Sequence, residues 1–287
     1  MTSHAAELEQ LLSQAIEFHV HTGPDGKTPR KADVFEVLRD ARQAGMRAVV
    51  LKNKSCGTGA IAQLANKYAD GALAIGSITL DVSVGGFNPE AVEIEAAMGS
   101  KVVWMPTYSA LNAPKKSAID SLRHRLTVMD EKGNLLPEVL NVLEVVKKYD
   151  MVLATGHLSR EEIFKLIETA VGLGHKKVVL THPLTRNVNT RMEIADQLTL
   201  SNMGAFIEHT WVATMPKHDQ IPAGDFTRAI RAVGVDKCVI GSDFGQVHNP
   251  LPIEGFRMML ATLLDEGFSV AELEQMIKKN PAYLLGL

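Results

Sequence analysis

His19 and His21 flank Val20 at the end of the apolar run Ile16-Glu17-Phe18-His19-Val20-His21. On a strand, residues i and i+2 project to the same face. Two imidazoles side by side are half of a metal site, or two ordinary polar residues closing a strand. Other strands must deliver matching ligands to the same place for the first reading to hold. Five further strand ends are polar. Lys52 and Lys54 follow Ala48-Val49-Val50-Leu51, and the others close in Thr155-Gly156-His157, Thr181-His182-Pro183, Glu208-His209-Thr210 and Gly241-Ser242-Asp243. Histidine makes up 10 of 287 residues, so about twenty strand-end positions should hold roughly one. They hold five, His19, His21, His157, His182 and His209, on four strands.

Such ends need a scaffold that gathers them. Short β-rich runs at 16–22, 48–53, 73–80, 101–106, 151–156, 177–182, 205–209 and 238–243 alternate with helical stretches such as 31–44, 136–148 and 159–173. The strands are near-continuous apolar runs, as expected of parallel strands covered on both faces. Gly45, Gly174 and Gly234 follow three helices where a left-handed residue is favoured, and Ser159 before Glu161-Glu162 resembles a capped helix start. Eight strand–helix units predict an α/β (β/α)8 TIM barrel with a short N-terminal helix in 1–14 and a long loop after strand four. A doubly wound open sheet is the other arrangement, but no Gly-rich phosphate loop follows the first strand. No linker or repeat divides the chain, which predicts a single barrel domain over 1–287.

Composition narrows the function classes. The chain is 46% hydrophobic and 22% charged with a formal charge of −3. Its basic clusters, Lys115-Lys116 and Arg123-His124-Arg125, are short, so neither nucleic acid nor an anionic membrane is the expected partner. No apolar run approaches the roughly 20 residues of a membrane span. Two cysteines, Cys56 and Cys238, are too few for a disulfide framework, and a reducing cytoplasm is the expected setting.

The strand-end pattern resembles the amidohydrolase superfamily of metal-dependent hydrolases. The likeness rests on HVH at strand one, single histidines ending strands five and six, GSD ending strand eight, and the closing run Asn280-Pro281-Ala282-Tyr283-Leu284-Leu285-Gly286-Leu287. Gly85-Gly86-Phe87-Asn88-Pro89 and Trp104-Met105-Pro106-Thr107 point to a less familiar branch. The resemblance implies that His19 and His21 bind one metal together with Asp243. His157 and His182 would bind a second ion or, with one ion, divide between ligand and substrate contact. Zn²⁺ suits imidazole and carboxylate best, with Mn²⁺, Fe²⁺ or Ni²⁺ as alternatives. A bound metal brings the pKa of water to about 7, and Asp243 could take that proton and pass it to the leaving group.

Two-metal members usually carry a bridging carboxylated lysine at the end of strand four, where this chain has Met105-Pro106-Thr107. Lys52 on strand two is therefore either a carboxylated lysine bridging two ions or a cation that binds an anionic substrate. His209 is expected to polarise the substrate, since only one of the adjacent Glu208 and His209 can point inward; a structural histidine is the other reading. Lys54, Tyr108 and Trp211 are expected to contact substrate, with Met215 beside Trp211. The segment from 108 to 137 is expected to hold a hairpin around Asp130-Glu131-Lys132-Gly133 and to cover the pocket, with Lys115, Lys116, Arg123 and Arg125 available to anions, or else to make a homo-oligomer contact. The leading expectation is hydrolysis of an amide, cyclic amide, lactone or ester bond of a small molecule. Metal-dependent non-oxidative decarboxylation is the alternative on the same site plan. A Schiff-base lyase using Lys52 or Lys54 is a different class.

Overall fold

The computed structural model describes residues 4–69, 71–114 and 125–287. A short helix α1 (Ala5–Leu12) precedes β1 (Ile16–His21), α2 (Val34–Gln43), β2 (Ala48–Lys52), α3 (Gly59–Tyr68), β3 (Leu73–Ile75) and β4 (Ser77–Thr79). Next come α4 (Pro89–Ala97), β5 (Val102–Trp104), α5 (Pro137–Lys148), β6 (Val152–Ala154), α6 (Arg160–Gly172), β7 (Val178–Leu180) and α7 (Ile194–Met203). The chain ends with β8 (Phe206–Thr210), α8 (Ala223–Val233), β9 (Cys238–Gly241), α9 (Pro252–Asp265), α10 (Val270–Glu274) and α11 (Asn280–Leu285). All eight strand runs expected from the sequence are present. The third is broken at Gly76 into β3 and β4.

This is an α/β TIM barrel. All strand pairs are parallel, with β1 to β3 in one hydrogen-bonded group and β4 to β9 in the other. Backbone bonds join the last strand to the first: Asp243 N–H donates to His19 C=O at 2.9 Å, and His21 N–H to Phe244 C=O at 2.8 Å. Side chains bridge the break at Gly76, where the hydroxyls of Thr58 and Ser77 both donate to Leu51 C=O at 3.0 and 2.5 Å.

Two apolar layers follow from strand alternation. Phe18, Val50, Trp104, Val179 and Val239 fill the interior, joined by Leu284 and Leu285 of α11. Val20, Val49, Leu51, Ile207 and Ile240 face the helices instead. The helices begin where the chain offers caps. Asp33 and Ser159 each form a reciprocal capping box, with Glu36 and Glu162, a device that satisfies otherwise orphaned N–H groups. Gly45 and Gly174 adopt the left-handed conformation expected after their helices, at φ +72° and +89°. The hairpin expected after strand four is present as the antiparallel pair Met129 and Leu135, with Asp130 N–H donating to Asn134 C=O at 2.8 Å. Lys115, Lys116 and Arg123 lie outside the described residues. Arg125 corrects an expectation: its guanidinium donates to the carbonyls of Ala110, Leu111 and Ala113, so it staples its own loop and is not available to an anion.

Candidate metal centre

β1 carries an irregularity that sets the site. Glu17 pairs with Val49 and Val20 with Leu51, so three steps on β1 match two on β2. The extra residue is a β-bulge, which shifts the parity of the strand. Ile16 and Phe18 face inward before it, and His19 and His21 face inward after it. The buried Glu17 carboxylate serves the bulge, accepting from His19 N–H at 3.2 Å and from Ser242 N–H at 3.0 Å. It needs Gly241 opposite, because a Cβ there would come within 2.8 Å of Glu17 Oε1. Burial pushes the Glu17 carboxyl up to about 8, against the backbone bonds that favour its charged form.

Each histidine is oriented through Nδ1. His19 Nδ1 lies 2.9 Å from Glu208 Oε1, and His21 Nδ1 lies 3.2 Å from Lys52 C=O. Both Nε2 atoms then converge on Asp243 Oδ1, at 3.3 Å from His19 and 2.9 Å from His21. Among the described residues, His19, His21 and Asp243 form the one group of three whose ligand atoms all lie within 4.8 Å of one another. Burial holds both imidazoles down, His21 to about 3. Burial works against the Asp243 charge as well, but the His19 and His21 rings more than offset it and keep the carboxyl well below its usual range. Two neutral nitrogens and one carboxylate aimed at one point fit a divalent cation. Glu208 and the Lys52 carbonyl supply the outer bonds that metal-binding imidazoles normally make.

The other strand ends ring this point. Lys52 Nζ lies 3.0 Å from His19 Nε2 and 4.0 Å from the centre of the Trp104 ring; burial lowers it to about 8. The His182 ring is 6.1 Å from that of His19 and 5.0 Å from that of His157. His182 Nδ1 lies 3.2 Å from Thr190 Oγ1, whereas the buried His157 Nδ1 has no hydrogen-bond partner among the described residues. Gly156 makes the approach of His157 possible: its φ is +59°, and a Cβ there would meet Met105 C=O at 2.2 Å. His182 and Asp243 themselves have positive φ, +30° and +55°. Non-glycine residues in that region are uncommon and gather at functional sites. Lys54 Nζ sits 3.8 Å over the Tyr108 ring at the mouth.

The structure reverses one expectation and displaces another. Glu208, not His209, is the member of the β8 pair that faces inward. His209 turns to the helix layer, 6.0 Å from Phe226 of α8, with neither ring nitrogen bonded to a described residue. Burial alone holds it down to about 3. Trp211 packs on the same Phe226 at 5.4 Å, so it joins the outer layer and not the ligand cluster. Alternation in β8 forces this outcome once Glu208 reaches His19. Glu17 has no role in the sequence reading, and Glu208 enters it only as the neighbour of His209. A carboxylate two residues before HVH and another on a strand end were the available signals.

Residues 14–208 match the family described as "Family of unknown function (DUF6282)". The chain belongs to that family. No curated protein matches it in sequence. Solved structures share the fold of this DUF6282 chain at low identity. An amidohydrolase of Pseudomonas aeruginosa is 14% identical with a TM-score of 0.69, covering 97% of this chain and 98% of its own. A beta-aspartyl dipeptidase of Fervidobacterium islandicum is 16% identical with a TM-score of 0.65, covering 95% and 72%. A 2,6-dihydroxybenzoate decarboxylase from Rhizobium is 12% identical with a TM-score of 0.57, covering 96% and 99%. The neighbours are amidohydrolase-superfamily enzymes, hydrolases and decarboxylases alike, in agreement with the resemblance seen in the sequence. Among the described residues, no helix is long and apolar enough to cross a membrane.

Proposed function

We propose that the chain is a metal-dependent hydrolase that cleaves an amide, cyclic amide, lactone or ester bond of a small molecule. One observation carries this reading: Nε2 of His19, Nε2 of His21 and Oδ1 of Asp243 converge while both Nδ1 atoms are already committed. We assign one divalent ion, most simply Zn²⁺, to these three residues, with His182 adjoining it and His157 turned to the substrate. An ion held there supplies Lewis acidity and lowers the pKa of water. Asp243 is placed to accept a proton from the attacking water and return it to the leaving group. Lys52 is assigned as an ammonium on the Trp104 face, since cations favour such ring faces. Its carboxylated form belongs to a two-ion site.

The test is chelation followed by assay on lactones, cyclic amides, dipeptides and esters. Activity should vanish on metal removal and return with Zn²⁺; hydrolysis that persists in metal-free protein contradicts the reading. Non-oxidative decarboxylation is the second reading, supported by the two ammonium groups of Lys52 beside His19 and Lys54 over Tyr108, which suit an acid substrate. Release of CO₂ from an aromatic or unsaturated acid, without hydrolysis of the panel, would select it. The lowered pKa of Lys52 also suits an imine-forming amine, but imine chemistry has no use for the converging ligand atoms of His19, His21 and Asp243. Borohydride should therefore trap no carbonyl substrate on it.

A further inference from the structure

Lys54 is a buried cation that the ligand cluster does not use. Only 8% of its surface is exposed, and among the described residues no carboxylate lies within ion-pair distance of it. Its ammonium stands over the Tyr108 ring, 3.8 Å from the ring centre. The neighbouring Arg30 is matched, unlike Lys52, which rests on His19 Nε2 and the Trp104 ring. Arg30 pairs with Asp25 at 2.6 Å, with Asp25 also accepting from Ser55 Oγ, Lys27 N–H and Thr28 N–H. Burying an ammonium without a counter-charge is costly, so a position that keeps one calls for an anion from outside.

The seat is built in advance. Lys54 C=O accepts from Ser83 Oγ at 2.7 Å, and Asn53 before it donates to Pro24 C=O at 2.9 Å. Tyr108 is clasped on both sides by the buried Asp81 carboxylate, which accepts from Thr107 N–H at 2.9 Å and Ser109 N–H at 2.8 Å. Lys54 and Tyr108 therefore stand at a fixed place beside the metal ligands. The Lys54 charge reaches His21, His157 and His182 from there.

We infer that Lys54, with Tyr108 against it, is the seat for a carboxylate of the substrate, which makes the substrate class small carboxylic acids whose reacting bond lies toward His19, His21 and Asp243. This rests on the proposed function for the reacting end but not for the anion. An ammonium beside a phenol matches a monoanionic carboxylate.

Succinate and butyrate, matched in length but differing by one carboxylate, are the probes. Each is titrated calorimetrically into Zn²⁺-loaded and into metal-free protein, with inorganic phosphate as competitor. Succinate should bind at least tenfold more tightly than butyrate to the loaded protein. Lys54→Met should remove that preference, and Lys54→Arg should retain most of it. Equal affinities in the Zn²⁺-loaded wild-type protein overturn the proposal without any variant being needed. A preference untouched by Lys54→Met, or phosphate outcompeting succinate, overturns it as well. If the chain takes up no metal yet binds butyrate with an affinity that Lys54→Met abolishes, the metal reading fails and the carboxylate seat stands.

Discussion

Glu208 and His209 are consecutive residues on β8, both fully buried, and they have opposite roles. Glu208 points inward and holds Nδ1 of His19 at 2.9 Å, whereas His209 points outward onto Phe226 with no hydrogen-bond partner among the described residues. By residue type, histidine is the better ligand or polarising group. Direction decides otherwise, because one step along a strand moves a side chain from the barrel interior to the helix layer. In this fold, chemistry belongs to a face before it belongs to a residue.

The contrast can be broken most strongly at the inner face. His21→Ala or Asp243→Asn should weaken metal binding and activity by at least ~10³-fold, since each removes one of the three ligands proposed for the ion; elemental analysis and turnover check this. Metal retained in full by either variant would sink the ligand assignment. At the bulge, Glu17 has its folded-state pKa raised to about 8 from 4.5. Its contribution is thus fully present below pH 4.5 and is lost as pH rises through 8. Glu17→Gln should gain on wild type across that window, by up to roughly 5 kcal/mol at the upper end. Urea unfolding of metal-free protein measures it, and a pH-independent difference between the two would contradict the assignment.

Next in size is Glu208→Gln. It keeps a polar group on His19 but removes the carboxylate, so metal affinity should fall about 10–100-fold with the fold intact. The smallest effect belongs to the outer face. His209→Leu removes two unpartnered ring nitrogens and should leave metal content and activity unchanged, with stability at pH 7.5 up by about 1 kcal/mol. It should also soften acid unfolding. A histidine lowered to about 3 from 6.5 costs stability progressively as pH drops below 6.5. Loss of activity in this variant would return His209 to the site.

The strand runs were legible because each is an apolar stretch bounded by polar or glycine residues, and the parallel barrel followed from their alternation with helices. HVH, Gly156-His157, Thr181-His182 and Ser242-Asp243 stood out because polar residues at such positions are costly unless used. What stayed hidden depends on geometry that spacing does not encode. The bulge between Glu17 and Val20 is one unpaired residue, and nothing in the local sequence announces it. Whether Glu208 or His209 faces inward depends on the register of β8 against β7 and β9, which a two-residue choice leaves undetermined. Trp211 looked like a pocket wall for the same reason, until its packing on Phe226 placed it outside. Arg125 looked like a free cation, whereas loop carbonyls take up its donors.

The inner face can be read directly by anomalous diffraction at the zinc edge from crystals of Zn²⁺-loaded protein. One peak should lie on Nε2 of His19, Nε2 of His21 and Oδ1 of Asp243, with Glu208 still bonded to Nδ1 of His19 and Lys52 uncarboxylated. A second peak bridged by a modified Lys52 would contradict the single-ion assignment. No peak at this triad would contradict the metal centre itself.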